Sequence, residues 1–129
     1  MPLYRCLSPG TLLTDDTRHD IAQAITEIHS SVTGAPRSFV HVFFFNRDGS
    51  DECRILGGIR AGRDAEKQEE LRSQITEAFS SIAGVSLDTV KVDLTDSPSH
   101  WTMEHGAVLP EPGNEEEWLI KHGLKQESE

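Results

Sequence analysis

The sequence predicts an α/β (α+β) protein, in which a doubled β-α-β unit forms a four-stranded sheet with two helices on one face. Two observations support this fold class. Two stretches carry apolar residues at helical spacing, and apolar stretches of strand length flank each of them. The second set of elements repeats the first at a distance of 50 residues, which indicates an internal duplication.

The first predicted helix begins after Thr14, a residue type that caps helix N-termini, and ends at Gly34, a typical helix stop. Asp15 and Asp16 suit its first turn, because carboxylates stabilise the positive end of the helix dipole. His29 lies on the flank of its apolar stripe, which consists of Ile21, Ile25, Ile28 and Val32.

The second predicted helix ends at Gly84 and has an apolar stripe of Leu71, Ile75, Ala78, Phe79 and Ile82. Leu71, Ile75 and Gly84 each follow their counterparts in the first helix by 50 residues. The strands after the helices keep this distance, since Val40 matches Val90. Extending it backwards matches residues 3–7 with residues 53–57.

These repeats predict one domain over residues 1–129, with units at about 2–50 and 52–96 and a C-terminal segment over 97–129. A helix connects the two strands within each unit. Those strands should therefore pair in parallel through a right-handed crossover.

The strand FVHVFFF, residues 39–45, is largely apolar on both faces. Val40, Val42 and Phe44 face one side, and Phe43 and Phe45 face the other. Two helices can cover only one side of the sheet, so something else has to cover the second. We expect a partner subunit in an oligomer. The alternative is that the C-terminal segment folds over this face.

The composition restricts the class of function. A net charge of −10 argues against a nucleic-acid or anionic-membrane surface. No signal peptide and no membrane-spanning stretch is recognisable, so a cytoplasmic location is expected. Cys6 and Cys53 are expected to be reduced core thiols. The six histidines lack metal-ligand spacing and no nucleotide-binding or hydrolase motif occurs, so neither a metal nor a cofactor is predicted.

The stretch ILGGIRAGRDAE places Arg60 and Arg63 just before the second helix. Cations at a helix N-terminus oppose the dipole, so the fold gives little reason for two of them there. Together with backbone N–H groups they would bind an anion such as a small carboxylate. The alternative is a pair of solvated arginines that form ion pairs with Asp64 and Glu66.

Pro2 and His29 are two further candidates. Removal of Met1 would leave Pro2 with a free secondary amine at the start of the first strand, where it could act as an acid, a base or a nucleophile. His29 can donate a hydrogen bond to an anion and titrates near neutral pH, although packing alone also accounts for a histidine in this place.

The C-terminal segment carries an acidic run, Glu115, Glu116 and Glu117, just before Trp118. One of these carboxylates could turn inward beside the indole and act as a general base for water, or all three could be solvated. His105 could assist this chemistry or lie on the surface.

Four segments, MPLY, AITEIHSSVTG, GGIRAGRDAE and MEHGAVLPEPGNEEEW, resemble the tautomerase superfamily in identity and order. Within it the sequence is most similar to the cis-3-chloroacrylic acid dehalogenase group. The resemblance spans most of the chain, from Pro2 to Trp118. It implies a homotrimer of doubled β-α-β subunits that acts on a small carboxylate.

The resemblance also implies roles for single residues. Pro2 would be the N-terminal catalytic residue, and Arg60 and Arg63 would bind the substrate carboxylate with help from His29. In the family's dehalogenase reaction, water attacks C3, cationic Pro2 protonates C2, and the product sheds halide to give malonate semialdehyde.

Glu116 matches the glutamate that activates this water, with Glu115 and Glu117 as neighbouring alternatives for the register. His105 stands where the family's dehalogenases have a tyrosine that assists water activation. The connection after the second strand is also shorter than in the family, and predicts a hairpin around Asp48 and Gly49. The first departure affects the activation of water for dehalogenation, and the second implies a changed pocket and therefore a changed substrate.

The resemblance leaves the reaction open. The first hypothesis is a hydratase like the dehalogenases, with low-level keto–enol tautomerase activity. The alternatives are malonate semialdehyde decarboxylase, a dedicated 2-oxo acid tautomerase, and a non-catalytic trimeric binding protein that keeps the anion site.

Overall fold

The computed structural model describes residues 2–60, 64–97, 103–104, 106–108 and 115–123, with only the backbone described for Arg60, Ser97, Glu104 and Glu115. Within these ranges the strands and helices follow in the order β1 (Leu3–Ser8), α1 (Asp15–Thr33), β2 (His41–Asn46), β3 (Cys53–Arg60), α2 (Ala65–Ala83), β4 (Val90–Ser97), β5 (Met103–Glu104), β6 (Ala107–Val108) and α3 (Glu115–Lys121). None of the helices in the described part of the chain combines the length and the apolar character needed to cross a membrane.

Both long helices begin and end where their capping residues predict. The Thr14 hydroxyl accepts a hydrogen bond from the backbone N–H of Thr17, and the Thr17 side chain accepts one from Thr14 in return. Asp64 caps α2 in the same way, by accepting from the N–H of Lys67 at 2.7 Å. Gly34 and Gly84 end the helices with positive φ angles of 79° and 71°, a conformation that glycine adopts without steric penalty.

The four long strands form one sheet in the order β2-β1-β3-β4. Within each unit the strands pair in parallel, as the sequence predicted, whereas the two central strands, β1 and β3, are antiparallel. The predicted hairpin between β2 and β3 is therefore wrong, because β1 lies between these strands. Gly49 makes a turn there, with φ of 86°, but the turn belongs to a connection that passes the end of β1.

The structure refines the internal repeat. Residues 15–33 of α1 and 65–83 of α2 are 50 apart at both ends. In the strands, however, Leu3 pairs with His41, and Arg54 pairs with Lys91, the counterpart of His41. The counterpart of Leu3 is therefore Arg54, at a distance of 51. The alignment of residues 3–7 with 53–57 is wrong by one residue, which in a strand exchanges the two faces.

The core lies between the two helices and one face of the sheet. Its buried members alternate along the strands and follow a four-residue spacing along the helices: Tyr4, Cys6, Ile21, Ile25, Cys53, Ile55, Ile59, Leu71, Ile75, Phe79, Val90 and Val92. Ile28 and Val32 are only partly buried, so the centre of the α1 stripe is rotated from the predicted one. His29 and Thr33, not Ile28 and Val32, continue the buried row of Ile21 and Ile25.

Among the described residues, nothing covers the opposite face of the sheet at the end of β2. Phe43 is 51% exposed and Phe45 is 48% exposed on β2. The described part of the C-terminal segment packs elsewhere, since Trp118 and Leu119 of α3 contact Phe39, two residues before β2 begins. The apolar face that the sequence predicts is thus present and available to another chain.

Candidate active site

The strand arrangement brings Pro2 and Arg60 to the same end of the sheet. β1 and β3 are antiparallel and Leu3 lies opposite Gly58, so the start of β1 adjoins the end of β3, where Arg60 is the last residue. Pro2 is fully buried, and its carbonyl accepts a hydrogen bond from the N–H of His41 at 2.9 Å. Proline cannot donate to the ladder, and the beginning of a strand is a place where sheets tolerate it.

A buried polar pair lies two residues further along β1. The Tyr4 hydroxyl is 2.7 Å from Nδ1 of His29, and both side chains have no exposed surface. The two rings meet edge to face, with centroids 5.6 Å apart. The Thr33 hydroxyl donates to the carbonyl of His29 at 2.7 Å, which ties down the last turn of α1. His29 therefore lies at the centre of the buried face of α1, not on its flank as predicted.

Gly57 makes room for the Tyr4 ring. It lies directly opposite Tyr4 in the β1–β3 pair. A Cβ atom at this position would lie 2.7 Å from Cε1 of Tyr4 and 2.7 Å from Cδ2 of Leu94, closer than such atoms approach in proteins. The adjacent Gly58 has no such constraint, since its nearest neighbour would be 3.8 Å away. Glycine at position 57 thus lets the aromatic ring lie directly against β3.

The helix α3 is anchored near the same end of the sheet. The Trp118 and Phe39 rings meet edge to face, with centroids 5.6 Å apart, and the indole N–H donates to the carbonyl of Val108 at 2.8 Å. Phe39 lies two residues before His41, whose N–H binds the carbonyl of Pro2. This short path places the helix that carries Glu116 and Glu117 near the N-terminal end of β1. Both carboxylates are on the exposed side of α3.

The remaining predicted site residues are less fully described. Arg60 closes β3 opposite Ser97, with only its backbone described. Arg63 and His105 lie outside the described residues, as does the side chain of Glu115. The structure thus places Pro2 beside the end of β3 and adds the Tyr4–His29 pair on the same face of β1, while α3 is anchored on Phe39, just before the strand that pairs with β1. It leaves the side-chain geometry of the two arginines and of His105 as predictions.

The cysteines are core residues, as the sequence predicted. Both are free and buried. Burial, and to a smaller degree the nearby Cys53, raises the pKa of the Cys6 thiol to about 12. Burial and then the Glu52 carboxylate raise the pKa of Cys53. Neither thiol is therefore ionised near neutral pH, and neither is a candidate nucleophile.

Two features of this site were not predicted from the sequence. One is Tyr4 with its glycine partner. Alternating burial along β1 puts Tyr4 on the same face as Pro2, but no local pattern predicts its contact with His29, which is 25 residues away in the sequence. The glycine pair Gly57–Gly58 inside a strand was the available signal, because glycine in a strand often marks a close approach. The other is the anchor between Phe39 and Trp118, for which no local pattern gives the partner.

A doubled β-α-β chain with Pro2 at the junction of its two units is the arrangement that the resemblance to the tautomerase superfamily implies. The Tautomerase_3 family model, described as "Putative oxalocrotonate tautomerase enzyme", matches residues 1–123. The chain belongs to this family, which confirms the resemblance found in the sequence. A search of curated protein sequences finds no match to the chain.

Solved structures agree with this assignment. The chain is similar to N1, a member of the cis-3-chloroacrylic acid dehalogenase family, with 29% identity, a TM-score of 0.87, and coverage of 92% of this chain and 90% of that one. It is 32% identical to native Ps01740, with a TM-score of 0.74 and coverage of 79% and 99%. A fused 4-OT symmetric trimer shares the fold at 19% identity, with a TM-score of 0.76 and coverage of 83% and 94%.

Proposed function

We propose that the protein is an N-terminal-proline enzyme that hydrates small unsaturated carboxylic acids in the manner of a cis-3-chloroacrylate dehalogenase, with low-level keto–enol tautomerase activity. The observation that carries this proposal is the similarity to N1 over nine-tenths of both chains. The placement of Pro2 beside the end of β3, where Arg60 lies, supports it independently.

Pro2 is the proposed acid. With Met1 attached, its nitrogen is part of a peptide bond and has no basic lone pair, so the proposal requires removal of Met1. The freed secondary ammonium would protonate C2 of the substrate while water adds to C3. For a 3-chloroacrylate, the resulting chlorohydrin expels chloride and a proton and gives malonate semialdehyde. A general acid placed in this way contributes on the order of 10²–10⁴ in rate.

Arg60, Arg63 and His29 are the proposed carboxylate-binding residues. Attack of water at C3 moves negative charge onto the carboxylate, which becomes an enediolate. Guanidinium groups bind carboxylate in a bidentate way and stabilise this charge more strongly in the transition state than in the bound acid. The clamp therefore favours the reaction itself as well as binding.

Glu116 is the proposed base for water, with His105 as its assistant. Glu116→Gln should reduce hydration of propiolate by about 100-fold or more, because an amide cannot accept the proton of the attacking water. The tautomerase activity of Glu116→Gln should fall far less, because enolisation does not require an attacking water. Both activities are measured by ultraviolet absorbance on the same preparation.

The matched control is Glu117→Gln, which makes the same change on the adjacent, also exposed residue of α3. Under the proposal it keeps near wild-type hydration. Equal losses of hydration and tautomerisation in Glu116→Gln would show that this carboxylate has another role. A selective loss in Glu117→Gln instead would move the base by one residue.

Proton NMR of the Met1-processed protein tests the reaction class. The panel comprises cis- and trans-3-chloroacrylate, propiolate, malonate semialdehyde and the enol of phenylpyruvate. Malonate semialdehyde formed from propiolate or a chloroacrylate supports the hydratase. Acetaldehyde formed only from added malonate semialdehyde identifies a decarboxylase, and ketonisation alone identifies a tautomerase. No turnover on the whole panel favours a non-catalytic binding protein.

We further propose that the chain forms a homotrimer through the open face of the sheet. Phe43 and Phe45 are about half exposed there, and the fused 4-OT structure of the same fold is a trimer. Burial of such a face is the usual source of stable association.

Phe45→Glu should convert the assembly to monomers, because it places a charge within the apolar contact. Sedimentation velocity at several concentrations measures the change. The control is Leu87→Glu, which alters a similarly exposed apolar residue, 53% exposed, in the turn after α2. A wild-type protein that sediments as a monomer at all concentrations would contradict the trimer.

A further inference from the structure

The Tyr4–His29 pair consists of two polar groups inside the protein core. Both side chains are fully buried between the sheet and α1, where polar groups are unfavourable unless they are hydrogen-bonded. The hydroxyl and Nδ1 satisfy each other at 2.7 Å. A core position on a small domain is ordinarily filled by an apolar side chain, so this pair needs a reason beyond packing.

The second repeat shows that the fold itself does not require a polar pair. With the register established above, Tyr4 corresponds to Ile55 at a distance of 51, and His29 corresponds to Phe79 at a distance of 50. Ile55 and Phe79 are also fully buried, in the same core. The same architecture is thus built once with an apolar pair and once with a hydrogen-bonded pair, and the polar version is in the repeat that begins with Pro2.

The position of the hydroxyl is fixed by the sheet. Tyr4 lies on the central strand β1, and its ring occupies the space that Gly57 leaves open on β3. The counterpart of Gly57 in the first repeat is Cys6, which has a side chain. Of these two equivalent positions, only the one opposite Tyr4 is therefore a glycine. The ring has little freedom to move, so the position of its hydroxyl oxygen beside Nδ1 of His29 is fixed.

We propose that Tyr4 is a positioning residue for His29. A phenol is a better hydrogen-bond donor than a neutral imidazole N–H, and an unprotonated imidazole nitrogen is a better acceptor than a phenol oxygen. Tyr4 therefore donates to Nδ1 and holds the neutral ring in the tautomer that carries its proton on Nε2. His29 offers this Nε2–H group to the substrate carboxylate. Metal-binding histidines are oriented in the same way, by a hydrogen bond at the ring nitrogen that does not bind the metal.

The role of this donor rests on the proposed function, but the tautomer does not. His29 is fully buried, so a carboxylate reaches Nε2 only after the chain around it opens. A histidine held in one tautomer before the substrate arrives does not lose binding energy to ring reorientation.

The test is a long-range proton–nitrogen correlation spectrum of the processed protein labelled with ¹⁵N-histidine. His29 signals are assigned by their absence from His29→Phe, which copies the second repeat. The wild-type spectrum should show an unprotonated Nδ1 and a protonated Nε2. Tyr4→Phe should mix the tautomers or shift the ring to the Nδ1–H form.

The matched control is Thr33→Val, which removes another buried hydroxyl that binds His29, but at its backbone carbonyl instead of its ring. It should leave the tautomer unchanged. A wild-type His29 protonated on Nδ1, or a folded Tyr4→Phe protein with the wild-type pattern, would overturn the inference. If Tyr4→Phe does not fold, the protonation pattern in the wild-type spectrum alone tests the inference.

Kinetics provide the second readout. On whichever acid of the panel is turned over, Tyr4→Phe should raise KM about tenfold and change kcat less, the size of effect expected for one hydrogen bond. Unchanged KM in Tyr4→Phe would show that the tautomer does not serve the carboxylate. If no acid is turned over, the proposed function fails, and the spectrum still tests the Tyr4 inference separately.

Discussion

Replacing Pro2 with alanine is expected to reduce turnover by at least about 100-fold, while binding of a small carboxylate remains. Alanine at position 2 also permits removal of Met1, so the variant keeps a free N-terminal amine. What it loses is the secondary amine on a rigid ring, held at the start of β1 by the bond between its carbonyl and His41. Initial rates on the active acid, and a binding titration with propiolate, measure the two effects.

The matched control is Pro9→Ala, at the opposite end of β1. Pro9 follows the last residue of that strand and lies away from the junction of Pro2 with the end of β3. Its replacement should leave the rate within about twofold, as expected for a surface change without a special backbone role. Full activity of Pro2→Ala would remove the basis for an N-terminal acid.

Replacing Arg60 or Arg63 with alanine is the second change with a large expected effect. Each should lower kcat/KM by about 10²–10³, the usual loss when one donor to a developing oxyanion is removed. KM should rise and kcat should fall together, because the same contact holds the carboxylate and strengthens in the transition state. Steady-state kinetics on the active acid separate the two constants.

Arg18→Ala is the control for a general loss of positive charge from this acidic chain. Arg18 forms an exposed ion pair with Asp15 at 3.0 Å in the first turn of α1, and such pairs contribute little. Arg60→Lys and Arg63→Lys add a further test, since lysine keeps the charge but not the bidentate geometry. Wild-type kinetics in both alanine variants would contradict the carboxylate clamp.

The helices were the most predictable part of the fold, because their signals are local. The apolar rows, the Thr14 cap and the two glycine stops all lie within one or two turns of the feature they specify. The rotation of the α1 stripe was missed because histidine is not counted as apolar. Its burial depends on Tyr4, which is distant in sequence.

The order of the strands was beyond local signals. The turn at Gly49 is real, but the strand that precedes it pairs with β1 instead of with the strand that follows. A turn residue shows that the chain reverses, not which strand it then pairs with. The one-residue difference between the strand repeat and the helix repeat was missed for a similar reason. Strand alignments at distances of 50 and 51 residues match apolar residues about equally well, and only the buried face in the structure distinguishes them.

The sequence provides candidate site residues where the fold does not explain a residue's chemistry, as for Pro2 and the arginines in an acidic chain. It does not provide them where the role of one residue depends on a neighbour across the sheet. Tyr4 is an ordinary strand residue in the sequence, and Gly57 an ordinary strand glycine. Only the structure shows why both are present. Tyr4 lies opposite Gly57 in the sheet, and a Cβ atom at position 57 would be 2.7 Å from the Tyr4 ring.

The most direct test of the central claim is the intact mass of an active preparation of the protein. The proposal requires that Pro2 be the first residue, because only then is its nitrogen an amine that can carry a proton. A mass lower than that of the full sequence by one methionine residue, in a preparation whose activity is lost in Pro2→Ala, is the predicted result. Full activity in protein that retains Met1 would contradict the catalytic role of Pro2.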